Sequence, residues 1–295
     1  MNVLNERLTP RVGALAFLTA VLWGGNSLSI KIALAGIPPI ALAGVRFIVG
    51  GLSVLAWASL NRIPLRMQPE DRRGLLGLAL IFLTQILLLN EGTHRTLASR
   101  STVLVSTYPF FTALFAHLFI PGDRLSRLKA LGMALSFSGV VLTFAETLML
   151  REFRHLSGDL MMVGSAVLLG ARQVYTKRLT QGIHPCKVIV WQAALSLPVF
   201  VLLSALFERG ASYRLDPAIV GAILYQGIVV AGFCFIVLIS LIRRYSASRL
   251  GVFGFATPVV GVLMSALLLG EGISATLLTS MVLVGAGIAV ANQET

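Results

Sequence analysis

Charge is what this sequence has least of. Asp, Glu, Lys and Arg make up 12% of its 295 residues, about half the share of an ordinary soluble domain. Acids are scarcer than bases, 12 against 24, which leaves a formal net charge of +12. Hydrophobic residues reach 56% and the mean hydropathy is +0.87. A chain so composed has too little polar surface to be soluble. Cysteine is nearly absent too: Cys186 and Cys234 lie in opposite halves with no metal-ligand spacing. That excludes a disulfide framework and reads as two small buried hydrophobes. The histidines, His94, His117, His155 and His184, are scattered. There is no His-Glu-x-x-His, no Gly-x-Ser-x-Gly and no phosphate-binding loop. No enzyme activity, metal, cofactor or direct use of ATP is therefore expected. A pI near 10.8 would suit nucleic acid, but the bases sit in short loops between apolar runs. There they act as topology signals, and no nucleic-acid partner is expected.

What the chain has in abundance is long apolar runs. A membrane span needs about 20 apolar residues, and ten runs qualify: 13–35, 40–60, 74–93, 100–120, 126–147, 157–180, 185–207, 216–242, 250–269 and 274–292. Each reads as a helix, because an isolated strand leaves its backbone unpaired in lipid. The first run is as long as a true span, so no cleavable signal is expected. The bases fix an orientation. With the N-terminus in the cytoplasm, 15 Lys and Arg fall on the cytoplasmic side and 7 on the other, with Arg46 and Arg172 inside spans. The bias favours that topology, and an even number of spans brings the C-terminus to the same side.

The sequence repeats itself. Ala98-Ser99-Arg100 with Pro109 recurs 149 residues later as Ala247-Ser248-Arg249 with Pro258. Gly24, Lys31 and Gly36 recur 146 residues later as Gly170, Lys177 and Gly182. Each copy, 1–147 and 148–295, holds five spans. Five is odd, so the second copy enters the membrane inverted, an architecture of secondary transporters. The expected fold is an all-α membrane protein of ten transmembrane helices in two inverted five-helix repeats.

Several groups carry candidate chemistry. Pro109 and Pro258 lie halfway along the fourth span of each copy, where a proline removes a backbone hydrogen bond. Matched depth makes them candidate hinges. In the first span Trp23-Gly24-Gly25-Asn26-Ser27 places an indole, a flexible pair and an amide at mid-membrane; helix packing is the alternative reading. Arg46 and its repeat partner Gln192 lie inside spans, as does Arg172. Intramembrane charge faces a cavity or a partner, and snorkelling is the other account for the arginines. Lys31 and Lys177, at span ends, are expected to snorkel. Glu91 and His94, one turn apart beside Asn90, make a candidate gate or proton site, or a solvated helix end. Gln85, Tyr108, Tyr175, Trp191, Tyr225, Gln226 and Phe233 add polar and aromatic groups within spans. Trp23, Asn26, Ser27, Arg46, Gln85, Tyr108, Tyr175, Trp191, Gln192 and Tyr225 form the candidate substrate site, for a small neutral or zwitterionic solute with an apolar part.

Together these features resemble the ten-helix, EamA-type family of the drug/metabolite transporter superfamily. The resemblance covers essentially the whole chain. It rests on Trp23-Gly24-Gly25-Asn26-Ser27, Arg46-Phe47, Ala98-Ser99-Arg100 with Pro109, and Gly122-Asp123-Arg124 leading to Gly132 and Gly139. The second copy adds Ala247-Ser248-Arg249 with Pro258, Gly270-Glu271 and Gly285-Ala286-Gly287. Asp123 stands where many members carry Glu. The resemblance implies a monomeric exporter of small metabolites in the bacterial inner membrane, most similar to exporters of neutral or aromatic amino acids. Amines, nucleosides or lipid are alternative cargoes. A non-transporting scaffold held by small-residue packing, Gly132 with Ser136 and Gly285 with Ala289, is the rival from another class. The partners expected are a small-molecule substrate and the bilayer.

Overall fold

A computed structural model describes residues 9–120, 126–149, 155–245, 250 and 252–291. Gly122-Asp123-Arg124 and Ala247-Ser248-Arg249 lie outside the described residues. Those that are described form helices joined by turns and short connections, with no strand. In chain order the helical passages are α1 (Pro10–Ala33), α2 (Pro39–Leu60), α3 (Asp71–Arg95), α4 (Ala98–Phe119), α5 (Arg127–Met149), α6 (Leu156–Leu179), α7 (Pro185–Phe207), α8 (Pro217–Arg244), α9 (Ala256–Leu269) and α10 (Ala275–Ala291). Six of them, α1 to α4, α7 and α8, are long and apolar enough to cross a membrane. Passage α6 is long enough but carries Asp159, Arg172, Lys177 and Arg178. Asp159 and Arg172 are met by side chains of other helices rather than by lipid, as described below, while Arg178 is exposed near the helix end. Proline opens several passages: Pro10, Pro39, Pro185 and Pro217 occupy first-turn positions, where no backbone donor is needed. Asp216 caps α8 by accepting from the Ile219 N–H at 2.9 Å, as an N-cap carboxylate does.

Three passages depart from a regular helix. The first is interrupted at Gly25, between Pro10–Gly24 and Asn26–Ala33. Passage α4 is interrupted at Ser106-Thr107, between Ala98–Val105 and Tyr108–Phe119. In α8, Tyr225–Cys234 is π-helical. The prolines do not kink a continuous helix, as the sequence suggests. Pro109 lies in the first turn of Tyr108–Phe119, and Pro258 in the first turn of Ala256–Leu269, after a 3-10 turn over Val252–Phe255. First-turn N–H groups have no intrahelical acceptor, so the roughly 3 kcal/mol penalty of an interior proline does not arise.

Packing follows the duplication. Gly24 lies so close to α9 that a Cβ there would stand 2.8 Å from Val260, and one on Gly170 would stand 2.6 Å from Phe111 of α4. Gly24 and Gly170 are repeat partners, and so are Val260 and Phe111. One crossing is thus built twice. Passages α5 and α10 meet through small residues: Ser136 Oγ donates to the Val284 carbonyl at 3.1 Å, and Gly287 backs onto Gly132. Gly287, not the expected Gly285, makes this contact, and the Gly132–Ser136 stripe is used inside the chain. Lys31 does not snorkel. Its Nζ donates to the carbonyls of Thr93 at 3.0 Å, His94 at 3.1 Å and Thr96 at 2.5 Å, closing the C-terminal end of α3, where a cation suits the helix dipole. Lys177 is buried as well. The central core is aromatic, with Phe47 4.6 Å from Phe82 and Trp23 5.8 Å from Phe235, centroid to centroid. Leu60, Phe207 and Leu267 stand on the outside, as side chains facing lipid do.

Candidate functional site

The broken helices converge on one cavity, whose space of about 560 Å³ includes its opening to the outside. The interruption in α1 puts Trp23, Asn26 and Ser27 on its wall, and the one in α4 puts Thr102, Val105, Ser106 and Tyr108 there. Thr257, the repeat partner of Tyr108, enters from the start of α9. Passage α2 contributes Arg46, α3 contributes Gln85, Ile86 and Leu89, α6 contributes Leu169 and Arg172, and α8 contributes Phe235. A second space of about 330 Å³ shares Trp23, Arg172 and Phe235 and adds Gln192, Gln173 and Thr176 among its walls.

Of the residues singled out in the sequence, Trp23, Asn26, Ser27, Arg46, Gln85 and Tyr108 meet at the larger space, and Gln192 at the smaller. Trp191, Tyr175 and Tyr225 stand elsewhere. Trp191 donates from Nε1 to the Leu65 carbonyl at 2.7 Å. Tyr175 sits beside Trp191 in an apolar cluster with Leu75 and Leu78. Tyr225 gives its hydroxyl hydrogen to the Leu22 carbonyl and lies against Gly25, bracing the interruption in α1. Gln226 is buried, with Nε2 donating to the Ser29 carbonyl at 3.0 Å, while Phe233 is exposed. Glu91 accepts from Arg95 Nε at 2.6 Å one turn on, and His94 is exposed.

Two guanidinium groups dominate the cavity's electrostatics. Arg46 is 1% exposed, and among the described residues its Nε and Nη1 have no hydrogen-bond partner. Its guanidinium carbon lies 5.0 Å from the Phe47 ring centroid. Arg172 donates from Nη1 to Gln85 Oε1 at 3.0 Å, and Gln85 in turn donates to Ser165 Oγ at 2.9 Å. Its guanidinium lies 5.2 Å from the rings of Phe82 and of Phe235. Neither arginine snorkels. Among the described residues, no Asp or Glu lines either space. Such a wall, apolar with a few fixed donors and acceptors, suits a small ligand.

The sequence matches the EamA-like transporter family twice, over residues 11–145 and again over 156–293. The chain belongs to the EamA-like transporter family. It is 29% identical to a probable amino-acid metabolite efflux pump of Salmonella typhimurium, over 94% of this chain and 93% of that one. It is 28% identical to the uncharacterized transporter YvbV of Bacillus subtilis, over 95% and 90%. It is 27% identical to the uncharacterized inner membrane transporter YedA of Escherichia coli, over 91% and 86%. A protein of known crystal structure shares the fold at a TM-score of 0.74 and 20% identity, over 97% of this chain and 99% of that one. This EamA-like chain is thus an integral membrane protein of a transporter family.

Sequence reasoning omitted from the site Arg172, Thr102, Ser106, Thr257 and Phe235. Arg172 was legible as a charge deep in a span, and Thr257 as the repeat partner of Tyr108. Thr102, Ser106 and Phe235 carry no signal of their own, since hydroxyls and rings are frequent on every face of such helices.

Proposed function

We propose that this chain is a secondary exporter of small metabolites, neutral or aromatic amino acids among them, across the bacterial inner membrane. It works as a monomer of two inverted repeats, divided near residues 147 and 148, with both termini in the cytoplasm. The observation that carries this reading is the convergence of interrupted α1, interrupted α4 and the proline-led start of α9 on one mainly apolar cavity. Interrupted helices meeting at mid-membrane are where inverted-repeat transporters hold their substrates. The relative in Salmonella typhimurium is named as a probable amino-acid metabolite efflux pump, which supports the substrate class. In this reading Trp23, Asn26, Ser27, Arg46, Gln85, Tyr108 and Gln192 face the cargo, Pro109 and Pro258 flank the moving joints, and Glu91 with His94 stands near an entrance. Trp191, Tyr175 and Tyr225 support the surrounding helices.

The test is counterflow in proteoliposomes with labelled amino acids, amines and nucleosides. Saturable exchange of a neutral or aromatic amino acid is the expected result. Exchange confined to amines or nucleosides would replace the substrate class. No exchange above protein-free vesicles for the whole panel would favour a scaffold.

A further inference from the structure

We infer that the cavity takes its cargo by a carboxylate held between Arg46 and Arg172, and that a charged amine on the cargo is dispensable. The inference rests on the transporter reading above and narrows its substrate class to small organic acids, amino acids included.

The argument begins with charge. Arg46 and Arg172 are buried on the wall of one cavity. A guanidinium does not give up its proton in a protein, and charge in a membrane interior requires a partner. Among the described residues, neither cavity wall contains a carboxylate. The fully buried acid Asp159 is engaged by Arg100, 2.5 Å away, and by Thr96. The missing counter-charge must therefore come from a ligand.

Geometry says how it binds. Aromatic faces support both groups: Phe47 lies beside Arg46, and Phe82 and Phe235 lie beside Arg172. A guanidinium stacked on a ring keeps its N–H edge free for in-plane donation to a carboxylate. On Arg46 that edge is unspent, since buried Nε and Nη1 find no acceptor. On Arg172 one N–H is fixed by Gln85, itself oriented by Ser165. That fork–carboxylate match is what selects an organic acid over an alcohol or an amide.

The rest of the cargo follows. The unpartnered acceptor on the wall is Asn26 Oδ1, an uncharged atom. It accepts an N–H but does not balance an ammonium, which two nearby guanidinium groups repel. Trp23 and Phe235 offer apolar surface to the remaining body. An acid without an amine therefore loses one neutral hydrogen bond and escapes a repulsion.

The experiment compares matched ligands on purified protein by calorimetry: phenylalanine, 3-phenylpropionate, phenylalanine methyl ester and phenethylamine, with the corresponding leucine series. The two acids of each series should bind within about threefold of each other. Ester and amine should bind at least about tenfold more weakly, the worth of one charge-assisted hydrogen bond. Arg46→Gln and Arg172→Gln should each weaken the acids by a similar factor, and Arg46→Lys should restore part of the loss. Modification of Arg46 in the wild-type protein by phenylglyoxal, read by peptide mass spectrometry, needs no variant to fold. The acids should slow it; the ester should not. Equal binding of ester or amine, no binding of any acid, or Arg46 modification unaffected by acid would overturn the inference. Equal protection by chloride or phosphate would show an inorganic-anion site instead and would also overturn it. Acids that bind without being exchanged by vesicles would leave this inference standing and remove the transporter reading. Exchange of amino acids and their esters at equal rates would do the reverse.

Discussion

Arg100 was visible in the sequence as part of a repeated triplet, but its task was not. Its Nη2 stands 2.5 Å from Asp159 Oδ2, and it donates to the Thr143 carbonyl at 2.8 Å. Thr96 Oγ1 donates to Asp159 Oδ1 at 2.7 Å. Replacing only the arginine leaves a carboxylate buried without its counter-charge, so Arg100→Leu should destabilise the protein by about 3–5 kcal/mol. The double variant Arg100→Leu with Asp159→Leu removes both charges and should recover much of that loss. Thermal melting of the purified proteins in detergent measures both. A single variant that melts like wild type would show that the pair contributes nothing. His184 gives a second prediction at this scale. It precedes α7, and its Nδ1 accepts from the Cys186 N–H at 3.2 Å, which requires an unprotonated nitrogen. Burial, and then the charge of Arg243, hold its pKa below the ordinary 6.5. A lowered histidine pKa means the neutral cap stabilises fully above about pH 6.5 and is lost as pH falls from there through the folded value. His184→Asn keeps a capping acceptor that does not titrate. Its melting temperature should therefore fall less than that of wild type between about pH 8 and pH 5, by an amount near 1 kcal/mol, the usual worth of a cap. Parallel curves would exclude the histidine as the source of any acid sensitivity.

At the scale of the helix, hydrophobic run length located the passages well and their interior breaks poorly. The run 185–207 coincides with Pro185–Phe207, and 40–60 differs from Pro39–Leu60 by one residue. Apolar length is set by the membrane, which the sequence encodes directly. Where a helix breaks is set by neighbours. Gly25 is held by Tyr225, two hundred residues away, and the π-helical stretch in α8 packs Gly227 against Val49 of α2. Of the six cavity residues that sequence reasoning found, Trp23, Asn26, Ser27 and Tyr108 stand beside helix breaks, while Arg46 and Gln85 are polar groups inside unbroken helices. Of the three that stand elsewhere, Trp191 donates to the loop carbonyl of Leu65 and Tyr225 to that of Leu22 in α1, while Tyr175 packs in an apolar cluster. The placement of Pro109 and Pro258 sharpens what their replacement should do. Alanine at either site restores a donor where the chain now restarts, and lets the helix run through the break. Stability should change by less than about 1 kcal/mol, because no interior hydrogen bond was missing. Exchange in proteoliposomes should slow, with ligand affinity kept and a larger loss in the double variant. Variants that exchange at the wild-type rate per folded molecule would make the prolines static shape-setters.

At the scale of the whole molecule, the duplication supplies the argument. The Gly24–Val260 and Gly170–Phe111 contacts are one crossing made twice, and Tyr108 and Thr257, repeat partners, both reach the cavity. Two inverted copies that pack alike have two arrangements of similar energy, one open to each side, which exchange when the copies swap roles. If that is how this chain works, Tyr108 and Thr257 must be reached by water from both sides in turn. Cys186 and Cys234 are buried and unpaired, so a background lacking them is a first step that removes no disulfide. Single cysteines are then placed at Tyr108 and at Thr257, and sealed vesicles are treated from one face or the other with a membrane-impermeant thiol reagent. Both positions should label from both faces, and a bound carboxylate should slow labelling from each. A fixed vestibule predicts labelling from one face only, and a solid scaffold predicts none. Either result would remove alternating access, whatever the cavity binds.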